Sequence, residues 1–119
     1  MATKPIPIRG EVWWIRFDPA EGDEIKKVRL AVVISEDAVG RLRLKIVVPI
    51  TEWKPRYAGF PWFVRLAPTT LNGLTKDSGA DAFQVKSISE TRFLQRLGEL
   101  TPIQLDEIAN AIAVCVGAP

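Results

Sequence analysis

Leu42 to Thr51 reads LRLKIVVPIT. Its first residues alternate apolar and basic side chains, and Ile46 to Ile50 is then continuously apolar. Alternation suits a pleated strand with one face in water, whereas a continuous apolar run suits a strand inside a core. The stretch reads as one strand that begins at the surface and enters the core. Similar short runs lie on either side of it. Glu11 to Phe17 (EVWWIRF) is aromatic and β-branched, Val28 to Ser35 (VRLAVVIS) is mostly apolar, and Phe60 to Leu66 (FPWFVRL) and Phe83 to Ile88 (FQVKSI) follow. These compositions fit a half-buried sheet. Between them, Asp18 to Lys27 (DPAEGDEIKK) is a polar loop broken by Pro19 and Gly22, and Glu36 to Gly40 (EDAVG) is a turn. Asn72-Gly73 and Ser78-Gly79 add further turn signals. Five to seven short strands at this spacing predict a mainly β fold, a small barrel or strongly bent sheet.

The end of the chain changes period. Thr101-Pro102-Ile103-Gln104 has the arrangement of a helix capping box with a first-turn proline. Leu105, Ile108, Ala109, Ile112 and Val116 then fall on one helical face, and Gly117 ends it. Ser89 to Leu97 (SETRFLQRL) is read as one or two further helical turns.

Composition limits the chemistry. The 119 residues favour one domain over 1–119, and 47% apolar with 25% charged residues match an ordinary globular chain. There is no histidine and a single cysteine, Cys115. That excludes a disulfide framework, a His/Cys metal cage, a Ser-His-Asp triad and an imidazole acid–base pair. No cofactor is expected. The start, MATKPIPIRG, has no apolar core of signal-peptide length, and no run approaches the roughly 18 apolar residues of a spanning helix. A cytoplasmic protein without a membrane partner is expected. The net charge of +2 hides an asymmetry: all 16 bases precede Leu97, together with 11 of the 14 acids. The bases cluster at Lys26, Lys27 and Arg29, at Arg41, Arg43 and Lys45, and at Lys54 and Arg56. Such clusters form a phosphate-binding face or keep loops and strand edges soluble.

Four groups of residues carry potential chemistry. Glu24 and Arg29 flank a loop–strand junction where a carboxylate and a guanidinium can face one pocket, or simply be solvated. Thr51 stands where the apolar run emerges, as a hydroxyl donor or as an ordinary strand residue. Alternation sends Gln84 and Lys86 to one face, where Gln84 either reads a base edge or satisfies a neighbouring loop. Most aromatics must fill the core. Trp53 and Tyr57, interleaved with Lys54 and Arg56, suit base stacking beside phosphate-binding charges, or a partner surface.

Taken in order, RGEVWW (Arg9 to Trp14), DPAEGDEIKKVRLAVVIS (Asp18 to Ser35), VVPIT (Val47 to Thr51), QVKSIS (Gln84 to Ser89) and RLGEL (Arg96 to Leu100) resemble the MazF/PemK family of toxin endoribonucleases. The resemblance runs from about Arg9 to Val116, and its specific part is the opening hairpin. It implies a small SH3-like β-barrel of the CcdB/MazF type with a C-terminal helix, acting as a homodimer. It also implies metal-independent cleavage of single-stranded RNA, and a cognate antitoxin that lays an acidic segment across the RNA groove. By the same resemblance Arg29 and Thr51 carry catalysis, Glu24 assists, Gln84 binds RNA, and Lys86 is the next basic position of that motif. Lys26, Lys27, Trp53, Lys54, Arg56 and Tyr57 complete the expected RNA contacts. Three positions depart from the family pattern: Leu30 replaces a proline, Asp23 a serine or threonine, and Phe83 an acidic residue.

The reaction so implied is attack of a ribose 2′-OH on the adjacent phosphate. Without imidazole, a carboxylate must take the proton, and a guanidinium and a hydroxyl must meet the developing charge. Glu24, Arg29 and Thr51 are expected in those roles. The competing expectation is a toxin of the same fold that binds a protein such as DNA gyrase and cuts nothing.

Overall fold

The computed structural model describes residues 5–40 and 42–119; Arg41, a member of one basic cluster, lies outside them. Seven strands and one helix follow in order: β1 (Glu11–Arg16), β2 (Val28–Val33), β3 (Leu44–Glu52), β4 (Phe63–Leu66), β5 (Ser78–Asp81), β6 (Lys86–Ser89), β7 (Phe93–Glu99) and α1 (Pro102–Val116). All the pairings are antiparallel, in the order β4-β5-β3-β2-β1-β7, with β6 alongside the first half of β3. The architecture is the expected barrel-like one, but among the described residues the ladders form an open path that ends at β4 and β7, with β6 off it beside β3.

The continuous apolar runs have a physical explanation in this topology. Adjacent residues alternate between two separate cores. Val12, Val32, Val48 and Ile50 face one core, shared with Leu66 and with Leu105, Ile108 and Ala111 of α1. Trp13, Ile15, Ala31, Val33 and Val47 face the other, closed by Phe17, Ile88 and Phe93. The register agrees: Val12 pairs with Val32 and Val32 with Val48, while Trp13 pairs with Ala31 and Val33 with Val47. A strand covered on both faces gains at every position, by about 1.5–3 kcal/mol for each large side chain fully buried. Pro49 falls between Val47, the last β3 residue paired with β6, and Ile50, the first paired with β5. At this changeover a missing N–H costs least.

Three expectations need correction. Ser78-Gly79 is not a turn but the start of β5, where a Cβ on Gly79 would lie 3.0–3.1 Å from the Trp53 and Phe63 rings. The glycine serves close approach instead of a turn. Residues 83–88 do not form one strand. The Asp81 side chain accepts from Phe83 N (3.2 Å), capping a 3₁₀ turn over Ala82–Gln84, and β6 begins only at Lys86. Ser89 to Leu97 is not helical beyond the 3₁₀ turn Glu90–Arg92, because Phe93–Glu99 pairs with β1 and buries Phe93. Here tertiary pairing overrides local preference.

The helix behaves as read at its ends. Thr101 and Gln104 form the full capping box, and Gly117 ends the helix in the left-handed region at φ 68°. Its buried face is Leu105, Ile108 and Ala111, with Ile112 packed beside them, while Val116 is exposed. Among the described residues no helix is long and apolar enough to cross a membrane.

Candidate active site

The β2–β3 ladder places the two central residues of the site. Leu30 pairs with Ile50 and Ala31 with Pro49, so one step outward Arg29 and Thr51 stand at the same level. Both line a cleft of about 380 Å³. Its apolar wall is Trp14, Leu30, Ile50, Leu74 and Leu97, and its polar wall adds Glu52, Thr75, Lys76 and Ser78. Among the described residues the Arg29 side chain makes no ion pair or hydrogen bond. An exposed guanidinium beside a hydroxyl, with a low-dielectric wall behind it, can bind an anionic group bidentately.

The wall opposite β2 depends on a tight turn. Asn72 is buried, its Oδ1 accepting from Thr69 N (3.0 Å) and Leu74 N (2.9 Å), and its Nδ2 donating to Ala67 O (2.9 Å). Gly73 adopts φ +71° and presses against Leu97, and Gly98 leaves no room for a Cβ beneath Asn72. This positions Gly73, Leu74 and Leu97 along the cleft.

A second group forms around the loop before β2. Gln84 Nε2 donates to Asp23 O (3.0 Å) and its Oε1 accepts from Ile25 N (3.4 Å). Lys86 Nζ lies 3.6 Å from Glu24 Oε2, and Glu24 Oε1 accepts from Glu21 N (3.0 Å). Gln84 therefore satisfies the neighbouring loop, one of the two roles open to it. Beside it, burial pushes the Asp81 carboxyl up, against the lowering effect of the Phe83 and Gln84 N–H groups. The base of the loop is fixed by Lys27 N donating to Asp18 Oδ1 (2.9 Å), with Lys27 itself at φ 63°. The structure thus unites Arg29 with Thr51, and Glu24 with Gln84 and Lys86, as two sets; Glu24 is not among the residues lining the cleft.

Lys26, Lys27, Lys54 and Arg56 are exposed. Trp53 and Tyr57 are half-buried and pack mostly on other aromatics. Tyr57 stacks on Phe63 at 3.9 Å between centroids, Trp53 meets Tyr57 edge-on at 5.8 Å, and Phe60 stacks on Trp62 at 4.7 Å. Arg56 and Arg65 each lie 5.2 Å from the Tyr57 and Trp53 ring centroids respectively.

Sequence reasoning missed Glu52 and Lys76. Glu52 directly follows Thr51, which was a usable signal. Lys76 had none, because its place on the cleft depends on β5 pairing with β3, Glu52 against Ser78.

Comparison with known proteins gives a consistent picture. A family model described as "PemK-like, MazF-like toxin of type II toxin-antitoxin system" matches residues 8–116. The chain is 34% identical over 110 residues to "Endoribonuclease MazF9" of Mycobacterium tuberculosis, covering 87% of this chain and 91% of that protein. It is 32% identical over 119 residues to "Endoribonuclease toxin MazF" of Escherichia coli K12, covering 98% and 100%. Among solved structures, MazF from Deinococcus radiodurans superimposes with a TM-score of 0.79 at 26% identity, covering 96% of this chain and 99% of that one.

Proposed function

The chain belongs to the PemK-like, MazF-like family of type II toxin–antitoxin toxins, and from that premise we propose how it acts. It is an endoribonuclease toxin that cuts single-stranded RNA without a metal and is neutralised by a cognate antitoxin. It works as a cytoplasmic homodimer of one domain over residues 1–119. The observation that carries the reading is the convergence of Arg29 and Thr51 on one cleft, with the guanidinium unpaired among the described residues.

The chemistry divides among the available groups. A carboxylate takes the proton of the ribose 2′-OH; this is assigned to Glu24, which stands outside the cleft on the loop leading into Arg29 and reaches the reacting atoms only when RNA spans both. The 2′ oxygen bonds to phosphorus, the bond from phosphorus to the 5′ oxygen breaks, and that oxygen gains a proton. The products are a 2′,3′-cyclic phosphate and a 5′-OH. Arg29 holds the phosphate and meets the charge that grows on its oxygens, its rigid fork of N–H donors serving as a clamp. Thr51 donates to a non-bridging oxygen. Gln84 and Lys86 hold the loop that carries Glu24, so their part in the RNA site is to position that loop. Lys26, Lys27, Lys54 and Arg56 bind flanking phosphates, and Trp53 and Tyr57 border the groove.

One experiment tests the reading. Purified protein is incubated briefly with a long RNA and the new 5′ ends are mapped. Discrete cuts with 5′-OH ends are expected, unchanged by EDTA and abolished when the attacking 2′-OH is replaced by hydrogen. Cleavage of the deoxy substrate, or no cleavage of RNA, would overturn it.

A further inference from the structure

The cleft that holds Arg29 and Thr51 contains a second cation that the mechanism above leaves unused. Lys76 lines it, and its Nζ lies 3.9 Å from Oε2 of Glu52, which lines it too. The side chains are 66% and 57% exposed, so the pair is loose and solvated, the kind that exchanges partners at little cost.

The backbone that carries Lys76 is, by contrast, well fixed. Ser78 Oγ donates to the Lys76 carbonyl (2.8 Å), and Trp53 N donates to the Asp77 carbonyl (2.9 Å). Asp77 is ion-paired with Arg65, whose Nε lies at 3.1 Å, and Ser78 pairs with Glu52 across the β3–β5 ladder. A long cationic side chain is thus presented from a rigid rim with one weak partner. Arg65, on the strand next to β5, is committed to Asp77. Arg29 and Lys76 are the two cations of this cleft among the described residues. A polyanion entering it offers more than one phosphate, and a single guanidinium cannot answer both.

We propose that Lys76 is a second phosphate-binding residue of the RNA site, contacting the phosphate next to the one held by Arg29. Glu52 holds the ammonium over the cleft in the free protein and releases it when RNA enters. A lysine suits this role because its ammonium is a compact point charge on a flexible stem. The inference rests on the endoribonuclease reading and adds a residue to it.

The test uses an RNA oligonucleotide containing a mapped cleavage site, with the attacking 2′-OH replaced by hydrogen. Binding by wild type, K76A, K76R and E52Q is followed by fluorescence anisotropy over a range of salt, and wild type is assayed for RNA cleavage in parallel. K76A is expected to bind several-fold more weakly, with a plot of log affinity against log salt shallower by about 0.7, the value for one neutralised phosphate on a single strand. K76R should keep the wild-type slope, and E52Q should bind more tightly by removing an anion from the cleft. A K76A slope equal to that of wild type overturns the proposal while leaving the endoribonuclease reading intact. Weaker binding by E52Q overturns the part given to Glu52. A wild type that neither binds nor cuts RNA overturns the reading itself.

Discussion

Arg29 is exposed at the start of β2 while its neighbours Leu30 and Ala31 turn progressively into the core. Replacing it therefore removes charge without removing packing. R29A is expected to abolish RNA cleavage while its melting temperature and oligomeric state stay those of wild type; retained cleavage would sink the assignment. R29K should recover only part of the rate, because an ammonium cannot reproduce a bidentate fork. Thr51 is a single donor, and T51A should slow cleavage by about 10²–10³, the usual cost of one such group. T51S should restore most of it. Glu11 sets a different property. Burial would raise its carboxyl, but hydrogen bonds from Ile8 N, Trp13 Nε1 and Arg96 outweigh this and hold it below the usual carboxylate range. A carboxyl lowered on folding stabilises the fold above its unfolded value, and that contribution is lost as pH falls through its folded value. Melting followed from pH 7 downward should show E11Q already destabilised at neutral pH, by about 1.5–3 kcal/mol for hydrogen bonds to a charged group. The difference from wild type should close in acid. A constant difference across the range would refute the role.

At the scale of elements, the turn before β5 shapes the cleft. A Cβ on Gly98 would sit 2.5 Å from backbone atoms of Leu71 and Asn72, which cannot step aside. G98A should therefore cost about 1–3 kcal/mol or more, as overpacking does, in denaturant unfolding. It should also raise KM by displacing Gly73 and Leu97; an unchanged melting curve would contradict this. The same region marks where the sequence stopped being informative. β1, β2 and β3 were legible because burial on both faces leaves a continuous apolar signature. The capping box of α1 was legible because its chemistry is local. β5 was not, since Ser78-Gly79 has the composition of a turn and only the rings of Trp53 and Phe63 explain the glycine. β7 was obscured by two register shifts against β1, which break the alternation a strand would show. The site follows the same division. Arg29 and Thr51 stood out in the resemblance, but their sharing a cleft needs the Leu30–Ile50 register. Lys76 needs the unrecognised strand.

For the whole molecule, the near-zero net charge says little about where RNA would lie; the pattern of pairing says more. Arg9, Lys45, Arg65, Lys76, Lys86 and Arg96 each have a carboxylate partner. Lys26, Lys27, Arg29, Lys54 and Arg56 make no ion pair among the described residues. In an antiparallel pair the start of one strand lies beside the end of the other, so cations preceding β2 and following β3 gather around the Arg29 and Thr51 ends. Cations without local partners, or with a loose one such as Lys76 with Glu52, neutralise phosphates and release their counterions at the least cost. Removing them in pairs, as K26A/K27A and K54A/R56A, should weaken RNA binding and flatten its salt dependence by about 0.7 for each phosphate no longer neutralised. The cleavage rate at saturating RNA should stay near wild type, since neither pair reaches the reacting atoms. Removing Lys45 and Arg65, which already have partners, should leave the salt slope largely as it was. A slope that falls equally in both sets would mean that pairing does not select the RNA-binding cations, and the track around the β2 and β3 ends would have to be abandoned.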